Sequence, residues 1–93
     1  MQDYPFLTQA LARTIKRLRE DAGLSKRKLA ERSGIDRVYL LQVEQAKYRP
    51  TMNFVFLLSR ALRIQPSKVV AMIEKEQKAM QKEESEAASS STS

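Results

Sequence analysis

The stretch AGLSKRKLAERSGIDRVYLLQVE, from Ala22 to Glu44, decides the fold. It divides into two short helical runs around a single glycine. Ser25 opens the first run: its hydroxyl oxygen can accept a hydrogen bond from a backbone N–H that the first helical turn leaves without a partner. Leu24 before this cap and Leu29 beyond it stand at the two positions of a hydrophobic staple. Gly34 closes the run, because a residue without Cβ readily takes the left-handed conformation that ends a helix. Asp36 caps the second run at once, with Ile35 and Leu40 as its staple. Two capped helices joined by one glycine-centred turn make a helix-turn-helix, in which the second helix is the one that enters the major groove of DNA.

Outward from this stretch the pattern stays helical. Asp3 is placed to cap a first helix, with Pro5 just inside it, where a missing N–H costs nothing. Leu7, Leu11, Ile15 and Leu18 recur at helical spacing, Ala22 continues the stripe, and Gly23 stops it. Ala46 to Pro50 reads as a loop. Thr51 caps a fourth helix with Val55, Leu58, Ala61 and Leu62 facing inward, and Pro66 opens a fifth with Val69, Val70 and Ile73 apolar. Alternating β-branched runs are too scarce for a sheet, so the fold class is all-α, with five helices. From Ser85 on the chain is Ser-rich, a composition that predicts disorder, although helix five can run through the Glu-, Lys-, Gln- and Ala-rich stretch to about Ala88. The expected organisation is a compact domain over residues 1–73 and a helical extension with a Ser-rich tail over 74–93.

Composition narrows the function. Ninety-three residues make one small domain. There is no cysteine and no histidine, which removes disulfides, thiolate metal sites, the usual zinc and haem ligands, and Ser-His or Cys-His catalysis. Only carboxylates and lysines remain, in no catalytic constellation, so no enzyme, metal or cofactor is expected. No apolar run approaches the ~18 residues of a membrane span. Lys and Arg follow the first apolar stretch rather than precede it, unlike a signal peptide, and a cytoplasmic protein is expected. The net charge is +6, unevenly placed: residues 1–70 carry 14 Lys/Arg against 6 Asp/Glu, and residues 71–93 carry 3 against 5. A basic domain with a mildly acidic tail suits a polyanionic partner.

Ile15, Leu18, Arg19, Gly23-Leu24-Ser25, Leu29-Ala30, Gly34-Ile35, Leu40, Val43-Glu44, Lys47, Pro50, Leu58, Ala61-Leu62 and Val69 follow one another in unbroken register over roughly residues 8 to 72. In this run the chain resembles the Cro/cI-type helix-turn-helix family, the xenobiotic-response-element family of bacterial and phage regulators. The resemblance implies a five-helix, lambda-repressor-like DNA-binding domain. It also implies an ion pair between Arg19 at the end of helix one and Glu44 at the end of helix three. Two positions depart from the family pattern. Lys26 stands where the family usually has Gln, which buttresses the recognition helix and touches a phosphate, and Ala46 stands where it usually has Gly.

On helix three, Leu40 and Val43 lie three apart and point at the core, which leaves Arg37, Val38, Gln42 and in part Tyr39 where the family presents its base-reading side chains. Their chemistry fits: Arg forks onto guanine O6 and N7, Gln pairs with adenine N6 and N7, and Val offers a surface to the thymine methyl. Ser25 and Lys26, at the start of helix two, meet the free N–H groups and positive dipole end that attract a phosphate. Lys47, Tyr48 and Arg49 follow the recognition helix as further phosphate contacts, and Arg49, just before Pro50, can reach a phosphate or the minor groove. Arg27, Lys28 and Arg32 read as a solvated face. Phe54 and Phe56 cannot both face the core, since positions two apart lie about 200° around a helix. One of them, with Val70, Ile73 and Met80 on helix five, is expected at a two-fold seam, and Tyr4 and Phe6 are the next candidates. The expected protein is a homodimer that binds double-stranded DNA on a roughly palindromic operator and represses or otherwise regulates transcription. The alternative is an antitoxin-type module whose C-terminal extension grips a protein partner while the domain still binds its own operator.

Overall fold

The computed structural model describes residues 2–91 and folds them into α1 (Leu7–Asp21), α2 (Lys26–Ser33), α3 (Arg37–Glu44), α4 (Met52–Leu62) and α5 (Pro66–Ser91), with no strand among the described residues. None of these helices is long and apolar enough to cross a membrane. Three of the four side-chain caps read from the sequence are made. Ser25 Oγ accepts from the Lys28 N–H at 3.1 Å, an Asp36 carboxylate oxygen from the Tyr39 N–H at 3.1 Å, and Thr51 Oγ1 from the Phe54 N–H at 3.2 Å.

The fourth is not. Asp3 caps no helix. The Leu7 N–H bonds back to the Tyr4 carbonyl at 3.2 Å, with Pro5 and Phe6 (φ 62°) between them as in a type II turn, and Phe6 takes the N-cap position without a side-chain bond. Pro5 suits the second place of such a turn, so the chain reverses there instead of starting a helix. The left-handed Phe6 is tolerated because its ring packs against the core.

Every helix contributes to one core. Ile15, Leu29, Leu40, Val43, Leu58 and Val69 have at most 1% of their surface exposed. Buried polar side chains all find partners: the Thr14, Ser33 and Ser59 hydroxyls donate to carbonyls one turn back in their own helices. Phe54 is buried and Phe56 exposed, as two positions on opposite sides of one helix must be. Phe54 therefore lies inside the chain and not on a seam between copies.

The largest helix–helix contact is between α1 and α5, and it changes the reading of helix five. Ile73 and Met80, expected on a dimer seam, are 5% and 7% exposed. Their stripe closes the core instead, because α1 presents an apolar face for which α5 is the cover. Gln77 lies on the same stripe, and its amide donates to the Pro5 carbonyl at 3.0 Å. Glu76 beside it receives Arg13 at 3.2 Å and Arg17 at 3.8 Å. Of the helix-five seam residues only Val70, 45% exposed, is left to face outward. The boundary expected between Ile73 and Glu74 falls inside this continuous helix. The helix also runs through Ser85–Ser91, where composition predicted disorder; once a docked turn exists, each added residue contributes a bond without a new nucleus. Residues 92 and 93, the end of the Ser-rich tail, lie outside the described residues.

Three helix ends share one geometry. After α3, the Lys47 N–H reaches the Gln42 carbonyl at 2.9 Å and the Ala46 N–H reaches Val43 at 3.0 Å, the paired bonds of a Schellman motif. The same pair recurs around Gly23 after α1 and around Arg63 after α4. The motif requires a left-handed residue. Gly23 supplies it freely, whereas Ala46 (φ 59°) and Arg63 (φ 57°) carry a Cβ that crowds the next carbonyl, at a cost of roughly 1–2 kcal/mol each. Ala46→Gly relieves that crowding but loosens the unfolded chain by roughly 0.5–1 kcal/mol. The expected net stabilisation is about 0.5–1 kcal/mol, read as a rise of about 2–8 °C in Tm by circular dichroism; a fall in Tm would show that the Ala46 methyl group's packing outweighs its backbone strain.

Candidate nucleic-acid interface

The outer face of α3 is built from short-range rules. Asp36 fixes its first turn, and Leu40 and Val43, both fully buried, fix which way it faces. What remains outside is Arg37 and Val38, both exposed, with Gln42 half-buried one turn on. Lys26, half-buried at the first turn of α2, and Lys47, exposed just past α3, flank this face, and neither has an ion pair among the described residues. Arg27 (3.3 Å) and Lys28 (3.8 Å) both reach Glu31 on the outer side of α2, so their charge is partly answered within the helix. The face therefore presents a guanidinium, an amide and an apolar methyl surface, with one ammonium group at the start of α2 and one just past α3 that have no ion pair among the described residues.

Tyr39 belongs elsewhere. Its ring meets Phe54 edge-on at 5.6 Å and 77°, and Tyr48 stacks on it at 6.3 Å and 28°. Tyr39 is half-buried against the core, and its ring links the core to the loop after α3. Three rings run from the core (Phe54) through the flank of α3 (Tyr39) to the loop after it (Tyr48). Tyr48 stays 52% exposed, and the stack fixes the loop that also carries Lys47 and Arg49. Arg49 is not free either: it is paired with Asp3 of the N-terminal segment.

The orientation of α3 rests on Arg19. Its Nε donates to Glu44 Oε2 at 2.9 Å and its Nη2 to Oε1 at 3.1 Å, a two-pronged bond between the last turn of α1 and the last residue of α3. Its Nη1 donates to the Leu24 carbonyl at 2.9 Å, at the entry to α2. The side chains are 10% and 3% exposed. Sequence reasoning did not find this third bond, nor the roles of Asp3 and Gln77. The first is a backbone acceptor that no side-chain pattern announces; the others act across 46 and 72 positions of chain.

A helix-turn-helix family profile matches residues 15–69 of the chain. An uncharacterised HTH-type transcriptional regulator of Mycobacterium tuberculosis is 42% identical over 50 residues, 54% of this chain and 36% of the relative. The chain thus spans little more than a third of that relative's length. Among solved structures, the clp gene regulator ClgR of Corynebacterium glutamicum superposes with a TM-score of 0.83 at 23% identity, over 92% of both chains, which is a likeness of fold. The restriction-modification controller protein C.Esp1396I, solved as a tetramer in complex with its natural 35-base-pair operator, superposes with a TM-score of 0.72 at 26% identity, over 78% of this chain and 96% of that one.

Removing Arg19 alone strands the Glu44 carboxylate in a site with almost no water. Arg19→Met is expected to cost about 3–5 kcal/mol, whereas Arg19→Met with Glu44→Leu, which removes both charges, is expected to cost much less. Urea unfolding of the two single variants and the pair gives the coupling as a double-mutant cycle; a loss in the double variant equal to the sum of the two single losses would mean that the charges act separately.

Proposed function

The chain belongs to the helix-turn-helix family of Cro/cI-type transcriptional regulators and not to a family of enzymes, and we propose that it binds double-stranded DNA sequence-specifically through α3, as a homodimer on a roughly palindromic operator, and represses transcription there. One observation carries this reading: Arg37, Val38 and Gln42 stand on the outer face of a helix whose Leu40 and Val43 are fully buried, and Lys26 and Lys47, at the start of α2 and just past α3, have no ion pair among the described residues. The operator complex of the C.Esp1396I relative supports it. Arg37, Val38 and Gln42 read bases, while Ser25, Lys26 and Lys47 hold phosphates, which position the protein without carrying sequence. The antitoxin reading has less support. Residues 81–88, the exposed part of α5, are Gln, Lys, Glu, Ser and Ala, with no large apolar side chain to grip a protein.

A duplex selected from a random DNA pool supplies the operator for the test. Gln42→Ala is expected to weaken operator binding by roughly 1–3 kcal/mol and to leave random DNA almost unchanged. Lys47→Ala weakens both alike. With Lys26 and Lys47 from each subunit, roughly four phosphates are neutralised, so log Kd against log salt should rise with a slope of about 3.5. A slope near zero would remove the duplex-DNA reading, and like behaviour of the two variants would remove the division between readers and clamps.

With Ile73, Met80 and Phe54 inside the chain, the surface left for a second copy is Val70 with Leu7 and Met52, which line one apolar groove, and Phe56 one turn beyond Met52. Val70→Asp changes an exposed residue and so spares the core. Light scattering should show a folded monomer with weakened operator binding; an unchanged dimer mass would move the interface to another face.

A further inference from the structure

Arg49 lies among the groups that a DNA phosphate would meet, yet its guanidinium already holds an anion. Asp3, 46 positions earlier, presents its carboxylate to Arg49 Nη1. The two side chains are 70% and 59% exposed, and an exposed pair holds only weakly on its own. The backbones on either side are what bring the charges together. The segment carrying Asp3 is anchored at Pro5, whose carbonyl accepts from the amide of Gln77, itself 2% exposed, and at Phe6, whose ring packs on the core. The loop carrying Arg49 is anchored by the Lys47–Gln42 backbone bond and by Tyr48 stacked on Tyr39. Residues 3–6 and 46–49 line one polar groove between them.

We infer that Asp3 is an internal substitute for a DNA phosphate, occupying Arg49 in the free protein and setting how much Arg49 contributes to binding. The inference rests on the duplex-DNA reading above. Carboxylate and phosphate both offer oxygens in the geometry a guanidinium prefers, so the two compete for the same donor. Lys47, without an ion pair among the described residues, gives its whole charge to a phosphate. Arg49 must first give up Asp3, and the carboxylate so released then stands beside the phosphate that replaced it. Both changes offset the gain from the new phosphate contact, and Arg49 adds little net affinity while Asp3 is present. The N-terminal segment is thereby an affinity control: whatever displaces it from the groove gives the protein one more phosphate contact per subunit.

The test is a set of salt titrations on the selected operator and on a random duplex of equal length, with wild type, Asp3→Asn, Arg49→Ala and the double variant. Both positions are exposed, so circular dichroism should show the same fold for all four. Asp3→Asn is expected to bind both duplexes severalfold more tightly and to steepen the salt slope by about 0.9 per subunit. Arg49→Ala alone should change affinity little, and in the Asp3→Asn background it should abolish the gain. Wild-type binding with an Asp3→Asn variant of unchanged affinity and slope overturns the inference and leaves the DNA reading standing. A gain that persists in the double variant overturns it too, since it would then be general charge removal. No salt-dependent binding by the wild type would overturn the DNA reading and this inference with it.

Discussion

One guanidinium holds α3 in its direction, while the helix's buried side sets which face looks outward. The helix has eight residues, too few to persist on its own propensity, so its direction is set by what its ends are fastened to. Arg19 fastens the far end. Glu44 is an anion at a helix C-terminus, where the dipole disfavours it, and it is nearly shut off from water. It can stay there only because Arg19 meets both of its oxygens. The third bond, to the Leu24 carbonyl, makes the same residue a tie for the turn into α2. A lysine has a compact charge and no fixed fork, and could not hold three acceptors in this arrangement. An apolar pair of similar volume would cost little stability. What it would lose is direction, and direction is what a helix that must fit a groove depends on.

The near end and flank of α3 are fixed by different means. Asp36 satisfies its first turn, and Tyr39 fastens its side to Phe54 of the core while receiving Tyr48 from the loop. A polar clamp at one end and an aromatic contact along the side leave α3 little freedom to roll. Side chains carried on such a support are presented in one orientation, which sequence-specific contact requires.

What could be read in the amino-acid sequence follows the range of each interaction. The caps at Ser25, Asp36 and Thr51 and the closing Gly34 act over three or four residues, and local pattern reveals them. Helical period showed which residues share a face, as with Leu40 and Val43, or Ile73 and Met80. It did not show what the second face meets: an apolar stripe looks the same whether it covers α1 or a second chain. The Arg19–Glu44 pair, 25 positions apart, was legible only through the resemblance to a family. At Asp3 two local rules competed. The capping signal lost to the turn that Pro5 and Phe6 make, and the freed carboxylate found Arg49.

The bond between Gln77 and the Pro5 carbonyl joins points 72 positions apart, nearly the whole described chain, and this orders events in time. Contacts of such long separation repay their loop-closure entropy only after the intervening helices have assembled. The helix-turn-helix, held by neighbours in the chain, can form before them. The docking of the first few residues is thus expected late as the protein folds. These residues also open from the native state more readily than the core, since a segment with few buried contacts exchanges its amides at a lower free energy. A late-forming and readily opened piece of the chain thus lies directly beside the loop that follows α3.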